Sequence, residues 1–423
     1  MEPDIGIAGY LTSTPGVGGV LKAVPEDFVV EERSTPPPPD PAGDYTIATI
    51  RTRGWETNRL VRQLSRSLRI SRRRIGFAGT KDKRAVSVRR FSFSGLAPES
   101  LEALHLRDMQ VTEAYRSSQP LEIGDLWGNS FRILVRDLDV PSDRAEAIVD
   151  ETSRQLTSFG GFPNFFGVQR FGSVRPITHE VGRELVRGDF RAAVNTYVAH
   201  PIDGEDAESF RVRTELEDSG DVKRALRSYP RSYSFEKALL NHLSAHPDDV
   251  VGALGALPPN LLMLFVHAYQ SYLFNRILSD RLRRGLPFHE PVVGDIVLAV
   301  DAHGLPDRDR RIEVEPHNLE RVSQRCRAGK AWVSAILFGS EVPLASGVMG
   351  EIERSVVHAE GLSGRDFIIP EMPRMSSKGT RREILAPMHE LSTAIDADGL
   401  HVSVALTRGA YATCLVREFT KTG

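Results

Sequence analysis

Period-two alternation, the pattern of a half-buried strand, occurs near both ends of this chain, and its longest helical pattern lies between them. Phe131 to Arg136 puts Phe131, Ile133 and Val135 on one face and Arg132, Leu134 and Arg136 on the other. His401 to Leu406 and Tyr411 to Phe419 read as two further strands, with Arg408 and Gly409 in the turn between them. In the middle, Asn260 to Arg284 follows Pro258 and Pro259, stops at Gly285, and carries Leu262, Val266, Tyr269, Leu273 and Ile277 at helical spacings. A sheet divided between the two ends of a chain, with a more helical block between, predicts an inserted domain. The chain's 423 residues also ask for two cores, because single cores stop growing at roughly 250–300 residues.

The N-terminal part reads as strand, loop, strand, helix, strand. Gly19 to Lys22 leads into a strand over Pro25 to Glu32, Pro36 to Pro39 make a stiff exposed loop, and Tyr45 to Thr52 alternates. Trp55 to Ile70 has helical spacing at Leu60, Leu64 and Leu68, and Ile75 to Ala78 is a short strand. Ser142 to Thr157 is expected to be a helix, as is a short piece at Leu239 to Leu243.

The short strand feeds Phe77 to Arg90, F-A-G-T-K-D-K-R-A-V-S-V-R-R, in which one carboxylate, Asp82, sits among Lys81, Lys83 and Arg84. An opposite charge within a few ångströms lowers a carboxylate's pKa by roughly 1–3. A carboxylate held ionised suits a nucleophile better than a general acid, which needs a raised pKa. The alternative is a solvated basic turn in which Asp82 pairs locally, since structural ion pairs perturb pKa values too. Arg51 to Arg90 holds fourteen Lys or Arg against two acids, whereas Asp203 to Asp221 holds eight acids against two arginines. That asymmetry within a net charge of -2 fits one polyanion-binding site. Arg59, Arg62, Arg66, Arg69 and Arg73 also fit a solvated helix face, and periodicity does not choose between the two.

Several function classes are excluded. No window reaches the roughly 18 consecutive apolar residues of a membrane span, and M-E-P-D-I-G is no signal-peptide start, so the expected location is the cytoplasm. Cys326 and Cys414 form no C-x-x-C pair and read as reduced thiols. Gly76 and Gly79 are too close together for a phosphate loop, and Lys81 precedes Asp where that loop needs Ser or Thr. The histidines show no metal-binding spacing and no G-x-S-x-G elbow occurs, so neither metal nor cofactor is expected.

Six segments together resemble the tRNA pseudouridine synthase D (TruD) family. They are P-E-D-F-V-V-E-E at Pro25 to Glu32, A-G-T-K-D-K-R-A-V at Ala78 to Val86, and G-D-L-W-G-N-S-F-R-I at Gly124 to Ile133. The others are N-F-F-G-V-Q-R-F-G at Asn164 to Gly172, H-A-Y-Q-S-Y-L-F-N at His267 to Asn275, and G-A-Y-A-T-C-L-V-R-E at Gly409 to Glu418. They fall in family order along the whole chain, and K-D-K-R-A-V is closest to the archaeal and eukaryotic branch.

The resemblance implies isomerisation of a uridine in tRNA to pseudouridine, with uridine 13 of the D arm as the family's usual target, without cofactor or metal. By the same resemblance Asp82 is the nucleophile and Lys22 its ion-pair partner, while Phe28, Asn164, Phe166 and Tyr411 contact the substrate base. Two aromatics and an amide are what a flipped uracil needs for stacking and for hydrogen bonds to its edge. Lys81, Lys83, Arg84, Arg89 and Arg90 are expected at the RNA backbone. Arg89, Phe165 and Ala410 stand where the family often has Gln, Tyr and Ser.

The implied fold is α+β, a pseudouridine-synthase-like mixed antiparallel sheet with flanking helices. It is expected over residues 1–187 and 387–423, with an α+β insertion (a TRUD domain) at 188–386 and RNA in the cleft between them. The expected partner is tRNA, with no membrane and no obligatory protein partner, the chain acting as a monomer. The competing readings are a non-catalytic RNA-binding or RNA-folding protein on the same scaffold and a synthase acting mainly on another RNA.

Overall fold

The computed structural model describes every residue except Met1, Thr80, Asp82, Lys83, Ile123, Gly124, Ala302, His303 and Gly423. Asp82 and Lys83, the expected nucleophile and one expected RNA contact, therefore lie outside the described residues.

The chain begins with β1 (Val20–Leu21), β2 (Phe28–Ser34), β3 (Tyr45–Arg53), α1 (Thr57–Ser67), β4 (Ile75–Phe77) and β5 (Val86–Ser94). It continues through α2 (Pro98–Glu102), β6 (Met109–Ser117), β7 (Leu126–Arg136), α3 (Ser142–Phe159) and β8 (Gly161–Pro163). A helical stretch follows: α4 (Thr178–Val186), α5 (Phe190–Val198), α6 (Ala207–Ser219), α7 (Val222–Ser228), α8 (Ser234–Ala245), α9 (Val250–Gly255) and α10 (Pro259–Arg283). Then come β9 (Ile296–Val300), β10 (Pro306–Glu313), α11 (Leu319–Arg327), β11 (Ala331–Leu337), α12 (Gly347–Ala359) and β12 (Thr380–Glu383). The chain closes with β13 (Leu385–Asp396), β14 (Gly399–Thr407) and α13 (Ala412–Thr420).

Two compact units result: a sheet unit of Thr12–Phe162 and Ala386–Thr422, and an inserted unit centred on Pro163–Leu385 that also takes the N-terminal residues through Leu11. The expected insertion began at 188, but the observed division falls at Phe162/Pro163. The reason is packing: Gly182 of α4 lies so close to α10 that an added Cβ would meet the Phe265 carbonyl oxygen at 2.0 Å. The first residues join the same body through Asn275, whose Nδ2 donates to the Ile5 carbonyl at 2.9 Å, and Ser279, whose hydroxyl donates to the Gly6 carbonyl at 2.9 Å.

In the sheet unit the strand order is β6-β3-β5-β2-β7-β14-β13-β8, with β1 added on β7 and β4 on β5. The β2–β5 pair is parallel and its neighbours are antiparallel, which makes the sheet mixed. Period-two sorting fixes its faces. Ala48, Ile50, Phe91 and Phe93 pack against Leu60, Val61 and Leu64 of α1 to form a core. Arg51 and Arg53 of β3, Arg90 of β5, Arg33 of β2 and Arg132 of β7 lie on the opposite face, as the ladder registers require.

The expected strand at Tyr411 to Phe419 is a helix, α13. Cys414 through Thr420 are all buried, including Arg417 and Glu418. Ala412, Leu415, Val416 and Phe419 recur at the helical spacing i, i+3, i+4, i+7, a signal that the strand reading passed over. Glu418 has a partner for its charge, since its Oε2 accepts from the Thr12 backbone at 3.0 Å and the Thr12 hydroxyl at 2.8 Å.

The inserted unit holds a sheet of order β10-β9-β11-β12. The buried pairs Arg281–Asp295 and Arg381–Glu353, at 2.7 and 2.6 Å, hold its long helix and last strand. No helix among the described residues is long and apolar enough to cross a membrane.

Candidate active site

The loop after β4 is anchored from below by a buried polar group in the sheet unit. Lys81 Nζ donates to Glu32 Oε1 at 2.6 Å, and the Lys81 backbone N–H donates to the Thr57 hydroxyl at 3.0 Å. The same Thr57 oxygen accepts from Arg89 Nη1 at 2.7 Å, while Glu32 Oε2 accepts the Arg90 backbone N–H at 3.2 Å. Thr57 can serve as this node because it is the first residue of α1, whose N-terminus is capped by the Glu56 carboxylate. The residue preceding Asp82 is thus fixed by side chain and main chain at once. Burial pushes the Lys81 ammonium below its ordinary pKa, against the opposing pull of Glu32. Burial also pushes Arg89 down to about 10, although Glu32 and Glu56 raise it. Arg89 Nε and Nη2 make no hydrogen bond among the described residues, so this guanidinium is only partly satisfied.

Lys81 and Arg89 were expected at the RNA backbone, and the structure places both in the interior, with the Lys81 side chain 6% and Arg89 1% exposed. Arg84 is exposed and Arg90 half-buried, and Arg90 Nη1 donates to the Ser34 hydroxyl at 3.1 Å.

Lys22 and Phe28 are brought together at the start of β2. Lys22 Nζ stands 4.0 Å from the centre of the Phe28 ring, a cation–π contact. Phe28 packs edge-on against Phe131 at 5.7 Å between ring centres. Lys22 has φ 59, the left-handed region, which costs a side-chain-bearing residue roughly 1–2 kcal/mol. Such backbone strain clusters at functional positions. Tyr411 immediately precedes α13, half-buried, and its carbonyl accepts the Cys414 N–H at 2.9 Å.

Asn164 and Phe166 belong to the inserted unit. The Asn164 side chain is engaged within that unit: Nδ2 donates to the Glu383 carbonyl at 3.0 Å and to Glu383 Oε1 at 3.1 Å, and Oδ1 accepts from Arg382 Nη2 at 2.6 Å. The Arg382 guanidinium lies 4.3 Å above the Phe166 ring. Asn275 holds the Phe166 backbone with two bonds, at 2.9 and 3.0 Å.

Glu32, Thr57 and Arg382 were missed as site residues by reading the sequence. Glu32 was accessible to it, because Phe28, Val30 and Glu32 share one face of an alternating strand and an acid on an apolar face needs a cation. Thr57 and Arg382 carry no such signal, since their roles come from the approach of distant segments.

The fold is that of a Methanosarcina mazei protein whose crystal structure is described as that of the "Putative tRNA pseudouridine synthase D (TruD)". The two match with a TM-score of 0.84 at 39% identity, over 100% of this chain and 98% of the other. The profile of the family "tRNA pseudouridine synthase D (TruD)" matches residues 4–419. Relatives curated as "Probable tRNA pseudouridine synthase D" are 41% identical in Methanococcoides burtonii and 40% in Methanosarcina mazei, each over 100% of this chain and 97% of the relative. The chain belongs to the tRNA pseudouridine synthase D family.

Proposed function

We propose that the chain isomerises a uridine of tRNA, uridine 13 of the D arm, to pseudouridine, with Asp82 as the nucleophile. In this reaction the N1–C1′ bond breaks, the base turns, and C5 bonds to C1′. C5 loses its proton and N1 gains one, so the product is an isomer and no redox partner or nucleotide is consumed. The carboxylate attacks the flipped nucleotide, Lys22 pairs with it, and Phe28 and Tyr411 flank the base. Phe166 and Asn164 contribute from the inserted unit, where the Asn164 amide exchanges one of its present bonds for the base. Arg84, Arg90 and Lys83 meet phosphates, while Lys81 and Arg89 brace the loop from beneath. The enzyme works as a monomer in the cytoplasm.

The observation that carries this reading is the double anchoring of Lys81 by Glu32 and Thr57, because a nucleophile that must meet one atom of a flipped base needs a preorganised backbone. The test is incubation with unmodified tRNA transcripts, without metal or nucleotide, and mapping of pseudouridine by carbodiimide-dependent reverse-transcription stops. Stops at uridine 13 that vanish in Asp82→Asn, with RNA binding retained, are expected. Turnover by Asp82→Asn removes Asp82 as nucleophile, and bound but unmodified RNA removes the synthase reading.

A further inference from the structure

Trp127 is 42% exposed on β7, a large apolar surface to leave in water. The Arg33 guanidinium lies 5.6 Å from its ring centre. Arg33 is itself held by Glu390, with Nη1 donating to Oε1 at 2.8 Å and Nη2 to Oε2, and by the Ser130 hydroxyl, to which Nε donates. An indole braced by a fixed guanidinium and still open to solvent is preorganised to receive a third planar group.

Its neighbours say which group. Trp127 sits on the arginine-bearing face opposite the α1-packed core, on Arg33's side of the sheet, with exposed Arg132 further along β7. On one flank the Trp127 carbonyl accepts the Arg408 N–H at 3.0 Å, at the head of the turn that leads to Tyr411. On the other flank, the adjacent Leu126 reaches the loop after β4, where a Cβ added at Gly79 would meet Leu126 Cδ2 at 2.9 Å and Lys81 Nζ at 3.7 Å. The Trp127 backbone therefore joins these two segments within the sheet unit, while the indole points to the face opposite Leu126, Glu32 and Phe28.

On the RNA-modifying reading given above, we propose that Trp127 is a stacking platform for an unpaired nucleotide of the bound tRNA, on the arginine-bearing face opposite Phe28 and Glu32. Every base offers a π face, so such a platform holds the strand without demanding one base. Arginines on the same face supply the complementary charge for the phosphates that flank a stacked base.

The test measures dissociation constants of wild type, Trp127→Ala and Trp127→Phe for one tRNA transcript and for transcripts made abasic at each unpaired position, one at a time. Trp127→Ala is expected to bind about five- to hundredfold more weakly, and Trp127→Phe within about threefold of wild type, as another aromatic retains stacking. One abasic position should weaken wild type by a similar factor and leave Trp127→Ala almost unaffected, which identifies the stacked base. Equal affinities of wild type and Trp127→Ala, or penalties that simply multiply at every abasic position, overturn the assignment. Thermal melting of both variants separates a folding defect from a lost contact, and Trp127→Phe binding as weakly as Trp127→Ala also overturns it. Pseudouridine formation by wild type is scored separately: bound but unmodified RNA sinks the synthase reading alone, whereas no RNA binding by wild type sinks both.

Discussion

Lys81 Nζ lies 2.6 Å from Glu32 Oε1, with the two side chains 6% and 1% exposed. An ion pair this deep specifies geometry more than it stabilises, because desolvation of both charges offsets much of their attraction. Here it fixes the residue next to Asp82 against β2.

Removing one partner isolates the other charge. Glu32→Gln is expected to destabilise the protein by about 3–5 kcal/mol, read as a lower urea midpoint at unchanged slope. Combining it with Lys81→Met should recover much of that loss while leaving pseudouridine formation impaired. Full recovery of activity in the double variant would show that the pair does not position the loop.

Thr57→Val keeps the shape of the side chain but takes away the acceptor of both Lys81 N–H and Arg89 Nη1. Two donors left buried cost about 1–3 kcal/mol each. Because the Lys81 backbone, next to Asp82, loses its tether, single-turnover rates at saturating RNA should fall about ten- to hundredfold, with RNA affinity close to wild type. A loss of affinity at an unchanged rate would contradict the tether.

Lys22→Gly separates strain from function. Glycine adopts φ 59 without a Cβ penalty but enlarges the unfolded ensemble, and the two effects are of similar size, leaving stability within about 0.5 kcal/mol of wild type. Turnover should nevertheless collapse, because the ammonium over Phe28 is gone. An active Lys22→Gly enzyme would remove Lys22 from the reaction.

Stability should depend on His179 in mildly acidic solution. Burial, assisted by Arg183, pushes this imidazole from 6.5 to about 4, between Phe171 and the stacked Tyr272. The unfolded chain binds its proton first, so this contribution is complete above about pH 6.5 and is lost as pH falls through about 4. Its size is about 3 kcal/mol by the ordinary conversion. Denaturation midpoints of His179→Phe should vary less with pH across this window than those of wild type, and equal slopes would refute the assignment.

Legibility followed the range of the interactions involved. Alternation located β7 and β14, and the proline pair and Gly285 bracketed α10 to within a residue, because both signals are local. The inserted unit's start was missed because the contact of Gly182 with α10 joins residues far apart in sequence. The strand expected at Tyr411 to Phe419 failed for a different reason: Ala412, Leu415, Val416 and Phe419 carry helical spacing, but a run this short does not by itself separate helix from strand. Within the site, the Asp82 loop stood out through its charge and family motifs. Thr57 did not, because a threonine at a helix start looks alike whether it caps, packs or holds a distant backbone.

The position of β14 also governs when the protein can become whole. Gly399–Thr407 pairs with β7 and β13 in the interior of the sheet, so β7 waits for a partner made more than half a chain later. Domains fold as they are synthesised, and Pro163–Leu385 is complete before β14 exists. During translation the inserted unit is a finished body carried between two halves of an unfinished one. The sheet can close only once β14 has left the ribosome, later than every element of the inserted unit.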